Sequence, residues 1–245
     1  IRGIETLGME IAEEVMARYG KYPEVVLATH AGGGNLTGTA RGLKSAGAKD
    51  TQVVGVSVDL KGLHMASDQD FNKKSFTTGH TGFGIPFTTF PDRSDVPRSA
   101  ARPLRYMDAY YLVKQGEVFY MTEALAQLEG LERGPAGNTS LTAAFAMARE
   151  MKDTDILVVQ ETEYTGAGKH PQSQLSFARE RGIDLCVGDP EEEVPGKSIV
   201  LPRGPMDIKL RPVDLSKLKK SLIRNYVTMK DIKRVTELDL FYLME

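Results

Sequence analysis

The residues best suited to chemistry lie in one run, "VVLATHAGGGNLTGTARGL", from Val25 to Leu43. An apolar stretch ends in Gly32, Gly33 and Gly34, and Asn35, Leu36, Thr37 and Gly38 then lead into a helical pattern. A glycine turn between strand and helix lets backbone N–H groups converge, and the helix adds the positive end of its dipole, so the place suits a phosphate. Glycine also removes the side chain that would block a close approach. Asn35 and Thr37 offer further donors. The run lacks the Gly-Lys-Ser/Thr of a P-loop, and a G-x-G-x-x-G reading fails because Thr37 stands where the third glycine belongs. The plain alternative is a tight turn at a sheet edge with no ligand.

A second stretch, "DILVVQETEYTGAGKHP", repeats the design: an apolar strand, then Thr165, Gly166, Ala167 and Gly168 in a turn. Ligands of open α/β sheets sit outside the carboxyl ends of the strands, so two such turns can face one ligand. One turn would hold its phosphate. The other presents the Thr165 hydroxyl, which suits a ring nitrogen or serves only the turn itself. His30, just before the glycines, has a side chain fitted to proton transfer near neutral pH, or is a strand-end residue with a satisfied hydrogen bond. His80 lies in a Gly-, Pro- and Thr-rich excursion over residues 61–103, a length that in compact domains often serves function. No His, Cys, Asp or Glu set has metal-ligand spacing.

The elements that must position these residues alternate. A helix is expected from about Glu5 to Tyr19, with Ile4, Leu7, Ile11 and Val15 three to four residues apart. A buried strand at Val25–Thr29, a helix from about Leu36 to Ser45 and a strand within Thr51–Leu60 follow. Beyond the excursion, Tyr106–Val113 reads as helical and Val118–Met121 as a strand. Thr122–Leu131 reads as a helix capped by Thr122, and Ser140–Met151 as a small-residue helix. Asp155–Gln160 is a strand, Pro171–Arg181 a helix, "IDLCVG" a strand with Cys186 buried, and Lys197–Leu201 another strand. "DPEEEVPG" reads as a solvated acidic turn. Two basic amphipathic helices, 214–226 and 228–244, close the chain. They carry Lys217, Lys219, Lys220, Arg224, Lys230, Lys233 and Arg234, a solvated face or a docking surface for a partner or for nucleotide phosphates. The alternation specifies an α/β fold with a doubly wound, mostly parallel sheet. We expect one α/β domain over residues 1–210 and a helical extension over 211–245.

Composition sets the outer bounds. The 245 residues are 41% hydrophobic and 26% charged with a net charge of -2, which gives no sign of nucleic-acid or anionic-membrane binding. With one cysteine, Cys186, no intrachain disulfide forms. No signal peptide is visible, and a cytoplasmic protein is expected. The chain opens on Ile1 and enters a helix at once, so residues ahead of it are expected as well.

Four motifs in order carry a resemblance: "GIETLGMEI" (3–11), "GGGNLTG" (32–38), "EGLERGPAGNTSLTAAFAMA" (129–148) and "TGAGKHP" (165–171). Together they resemble the fold type II pyridoxal 5'-phosphate enzymes, the group of threonine synthase, threonine dehydratase and the tryptophan synthase β chain. The resemblance implies pyridoxal 5'-phosphate as cofactor. Gly32, Gly33, Gly34, Asn35, Leu36 and Thr37 would hold its phosphate, and Thr165 would bond its pyridine nitrogen. Gly134 stands where many relatives have glutamate. The family's Schiff-base lysine lies well upstream of the phosphate loop. Lys21 is too close to the loop, and Lys169 matches a family lysine with another role, so no catalytic residue is assigned within the chain. It resembles the C-terminal half of such an enzyme.

At a finer level the chain resembles a thiolase β subunit of amino-acid degradation. That implies cleavage of an amino-acid substrate by coenzyme A, a small α subunit as partner and homo-oligomeric contacts. Alternatives are a threonine synthase-like lyase, or a phosphate-binding or interaction module without activity.

Overall fold

The computed structural model describes residues 2–30, 33–59, 98–161, 171–180, 182–229, 234, 236, 238 and 239. The elements run α1 (Arg2–Tyr19), β1 (Val25–Thr29), α2 (Gly34–Ser45), β2 (Gln52–Val58), a 3-10 segment (Arg98–Arg105), β3 (Ala109–Val113), α3 (Gln115–Glu129) and α4 (Thr139–Ala148). They continue with β4 (Leu157–Gln160), α5 (Pro171–Glu180), β5 (Asp184–Gly188), β6 (Ser198–Pro202), β7 (Arg211–Pro212) and α6 (Leu215–Met229). The main sheet has the order β4-β1-β2-β3-β7, parallel except for the short β7, and β5 pairs with β6 in a separate parallel pair. The expected α/β fold with a mostly parallel sheet is what forms.

Both faces of the main sheet are covered, which is why its strands read as continuous apolar runs. Val26 and Ala28 of β1 face Ala12 of α1 and Leu36, Ala40 and Leu43 of α2. Val25 and Leu27 face the other way, towards Val118 of α3 and Ala143 and Ala144 of α4. Beneath α1 and α2 lie Tyr110 and Leu112 of β3, and Leu218 of α6 joins the same cluster.

Glycines bring α1 and α2 together at backbone distance. A Cβ on Gly42 would lie 2.0 Å from the Glu5 carbonyl oxygen, and one on Gly8 would lie 2.1 Å from that of Thr39. A Cβ on Gly38 would meet Ile4 at 2.7 Å, so this glycine of the "GGGNLTG" run serves helix packing.

The structure corrects several expectations. Ala109–Val113, read as helical, is a strand whose residues alternate between the two cores. Val118–Met121, read as a strand, lies inside α3, and Thr122 is an interior residue whose hydroxyl donates to the Val118 carbonyl at 2.7 Å. The start of α3 is fixed from far along the chain: Glu193 accepts from the Gln115 and Gly116 N–H groups at 2.9 and 2.8 Å. Glu193 is fully buried, so "DPEEEVPG" is no solvated turn throughout. Cys186 is exposed, where a buried residue was expected: Leu185 beside it packs into the small cluster of Phe119 and Ile199, and Cys186 points to the other face of the strand. Most of 228–244 lies outside the described residues. No described helix is long and apolar enough to cross a membrane.

Two outcomes follow. Gly42→Ala and Gly8→Ala each force α1 and α2 apart and destabilise the fold by about 1–3 kcal/mol, read from urea denaturation. Burial pushes the Glu193 carboxyl up to about 7 from 4.5, against the pull of its N–H donors. The folded chain then binds this proton more tightly than the unfolded one. Stability present below about pH 4.5 is therefore lost as pH rises through about 7. That loss is absent in Glu193→Gln when the two pH–stability curves are subtracted.

Candidate functional site

The carboxyl ends of β1, β2, β3 and β4 lie along one edge of the sheet. β1 leads through α2 to β2 on one side, while β4 lies on its other side. That reversal is the switch point where open α/β sheets bind ligands.

The glycine turn stands at this point. Gly33 takes φ +80, the left-handed region, and directly precedes α2. A Cβ on Gly34 would meet nothing within 4 Å among the described residues. Among the described residues no side chain caps this helix, and its first turn holds no acid. The N–H groups of Gly34, Asn35 and Leu36 fall in that turn, where helical geometry supplies no acceptor. Thr37 takes a different part from the one expected: its hydroxyl donates to the Gly33 carbonyl at 2.6 Å, which commits its proton and braces the turn. Leu36 plants its side chain in the core, while Asn35 is half-buried. Gly32 and Thr165 lie outside the described residues, as do His80 and Lys169.

Two polar clusters support the turn, one on each face of the sheet. On the α4 face, the Thr29 hydroxyl accepts from the Ser140 N–H at 3.1 Å and lies 3.2 Å from the Gly137 carbonyl. The Ser140 hydroxyl reaches the Gln160 carbonyl at 3.1 Å, so the ends of β1 and β4 are tied to the start of α4. On the α2 face, His30 Nδ1 is 2.7 Å from the Tyr110 hydroxyl, which is 2.8 Å from Ser57 Oγ. All three side chains are buried, and burial raises the Tyr110 pKa far above its ordinary value. Lys114, at the end of β3, is buried against Asp59 at 2.5 Å, the residue that follows β2. Lys21 sits at the opposite, amino edge, bonded to Glu24 at 2.5 Å and to the Thr154 carbonyl at 2.6 Å.

Sequence reasoning found the turn and flagged His30. It missed Thr29, Ser57 and Tyr110 as partners. Their only signal was polar atoms at positions a buried strand would fill with apolar side chains.

The family model for pyridoxal-phosphate dependent enzymes matches residues 1–161. The chain belongs to that family. Two curated proteins described as 2-amino-4-ketopentanoate thiolase beta subunit align with all 245 residues. One, from an unknown prokaryotic organism, is 61% identical, and the other, from Acetoanaerobium sticklandii, is 62% identical. The chain spans 52% of the length of each. The crystal structure of a threonine deaminase from T.th. overlaps 67% of this chain and 58% of its own, at a TM-score of 0.48 and 20% identity.

The residues present fit the family's cofactor. A phosphate needs N–H donors, a positive helix end and room, and among the described residues the start of α2 supplies all three. Gly34→Asp places a carboxylate in that open space. It should leave thermal stability unchanged or slightly raised, since acids favour helix starts. Binding of pyridoxal phosphate, read by calorimetric titration, should weaken by at least about tenfold, a cost of roughly 1.4 kcal/mol.

Proposed function

We propose that this chain is the phosphate-binding part of the β subunit of a pyridoxal-phosphate dependent thiolase acting on 2-amino-4-ketopentanoate with coenzyme A. The observation that carries the reading is the start of α2, which no described side chain caps or fills, at the switch point. The identity along the whole chain to two proteins of that name supports the substrate.

In this reading Gly32, Gly33, Gly34, Asn35, Leu36 and Thr37 hold the cofactor phosphate. The backbone N–H groups of the first helical turn are the donors, and Thr37 keeps the Gly33 carbonyl turned away from the anion. Thr165 bonds the pyridine nitrogen, where a hydroxyl in place of an acid leaves that nitrogen largely unprotonated. When bound, pyridoxal phosphate supplies the sink for the electron pair left on C3 as the C3–C4 bond breaks. The thiol of coenzyme A attacks C4, so the acyl group leaves as acetyl-CoA. C3 gains a proton, and the remainder is alanine. The attacking sulfur belongs to coenzyme A, so no enzyme cysteine is needed. Cys186 lies on β5, in the separate β5–β6 pair and not in the main sheet that carries the glycine turn. The relatives' designation as beta subunits supports a partner subunit, which we take to be a small α subunit.

The test uses a polypeptide of the relatives' full length carrying this chain, with its partner and pyridoxal phosphate. Supplied with 2-amino-4-ketopentanoate and coenzyme A, it should form acetyl-CoA and alanine in equal amounts. Release of phosphate from a phosphorylated hydroxy-amino acid, with no acetyl-CoA, would replace the thiolase reading by the lyase one.

A further inference from the structure

The two ends of the main sheet are finished differently. At one end β7 is two residues long and consists of Arg211 and Pro212, a charge and a residue without an N–H, both of which discourage a further strand. At the other end β4 has neither: Leu157, Val158 and Val159 are all apolar and all half-buried. The Val25 N–H donates to the Ile156 carbonyl at 3.3 Å, so Ile156 and Val158 turn their main-chain groups towards β1. Alternate residues of a strand face opposite neighbours, so the N–H and C=O groups of Leu157 and Val159 point away from the sheet. Among the described residues no strand takes them. Beside this edge a groove of about 360 Å³ lies between β4 and α1. Ile11, Val15 and Tyr19 of α1 line one wall and Ile156 and Val158 the other, with the exposed Glu14–Arg18 ion pair beside them. Tyr19 is 63% exposed.

We propose that β4 takes a further strand from the same polypeptide, from the part of the relatives' length that these 245 residues do not span, and that apolar side chains of that segment fill the groove against α1. The chain aligns throughout with relatives of which it spans 52%, so nearly half of each relative's length remains to supply the strand. A segment joined covalently meets the edge at a far higher effective concentration than a separate molecule does. The chemistry of the edge fits it as well. A strand laid on β4 completes the bonds of Leu157 and Val159, and every second side chain on it falls to the face that carries Ile11 and Val15. The edge also bears on the candidate site. β4 ends at Gln160, whose carbonyl accepts from the Ser140 hydroxyl at 3.1 Å and whose side chain accepts from that of Thr39 at 3.1 Å. A strand that holds β4 thereby holds the layer beneath the glycine turn. Nothing in this docking depends on which substrate the enzyme cleaves.

The test uses the polypeptide of the relatives' full length, with its partner and pyridoxal phosphate. Tyr19→p-benzoylphenylalanine keeps an exposed aromatic ring at the groove and makes it a photo-crosslinker. After irradiation, peptide mapping should place the adduct on a segment of the same polypeptide outside the 245 residues, and a denaturing gel should show the mass of one polypeptide. An adduct within the 245 residues, on a second copy or on the partner subunit overturns the proposal, and so does the absence of any adduct. Amide hydrogen exchange of the same enzyme, read residue by residue, separates strand pairing from mere cover. The Leu157 and Val159 amides should exchange at least about a hundredfold more slowly than unprotected amides. Exchange at both positions near the unprotected rate overturns the added strand.

Discussion

Everything at the candidate site depends on where α2 begins and which way it points, and both are set by the backbone contact between α1 and α2. Gly8 and Gly42 let two helices meet with carbonyl oxygens about where side chains would otherwise stand. Helices usually pack through interlocking side chains, which leaves axial distance and rotation adjustable by a rotamer change. Contact through the main chain has no such slack. Gly38 takes Ile4 on the same face, and the Arg41 guanidinium forms an ion pair with Glu5 beside it, Nε to Oε1 3.0 Å. The helix is thus held rigidly while its first turn stays open.

Below that turn the sheet edge carries polar clusters on both faces, with Ser140, His30, Ser57 and Tyr110 buried and Thr29 half-buried. Thr29 and Ser140 join β1 to α4, and His30, Ser57 and Tyr110 join β1, β2 and β3. Such networks are costly when half-satisfied and rigidifying when complete. In these two clusters each hydroxyl has an identified partner. The strands' carboxyl ends are therefore cross-braced in the layer beneath the glycine turn.

Much of this was legible in the sequence. β1 and the turn were, because an apolar run closed by three glycines is the pattern of a buried strand that must make a bare-backbone turn. The errors cluster at β3 and α3, and they share a cause. "YMDAYYLV" has apolar residues at helical spacing, yet Asp108 takes the Val53 N–H at 2.7 Å and pairs the segment with β2. "EVFYM" has the apolar density of a strand, yet Glu193 and Glu117 receive the N–H groups that start a helix there. Local pattern was overridden by carboxylates whose targets lie 55 to 78 residues away for Asp108 and Glu193. Cys186 looked buried for a related reason: strand composition shows that a residue suits a sheet and says nothing of whether another element packs over the face it points to.

The contrast between two helix starts says most about the site. At α3 the chain supplies its own acids: Glu193 accepts from the Gln115 and Gly116 N–H groups, and Glu117 accepts from that of Lys114 at 2.6 Å. The burial cost of these carboxyl groups is offset in part by donors that would otherwise be orphaned, and at Glu117 also by Arg211 at 2.9 Å. At α2, in the same fold and under the same constraint, no described side chain caps the helix and no acid enters its first turn. The nearby hydroxyl of Thr37 is turned back onto the Gly33 carbonyl. A chain that caps one helix start with its own buried acids leaves another uncapped, among the described residues, at the edge where α/β sheets take ligands. In the proposed reading the negative charge at α2 is that of the cofactor's phosphate, whose oxygens accept from the N–H groups of the first turn.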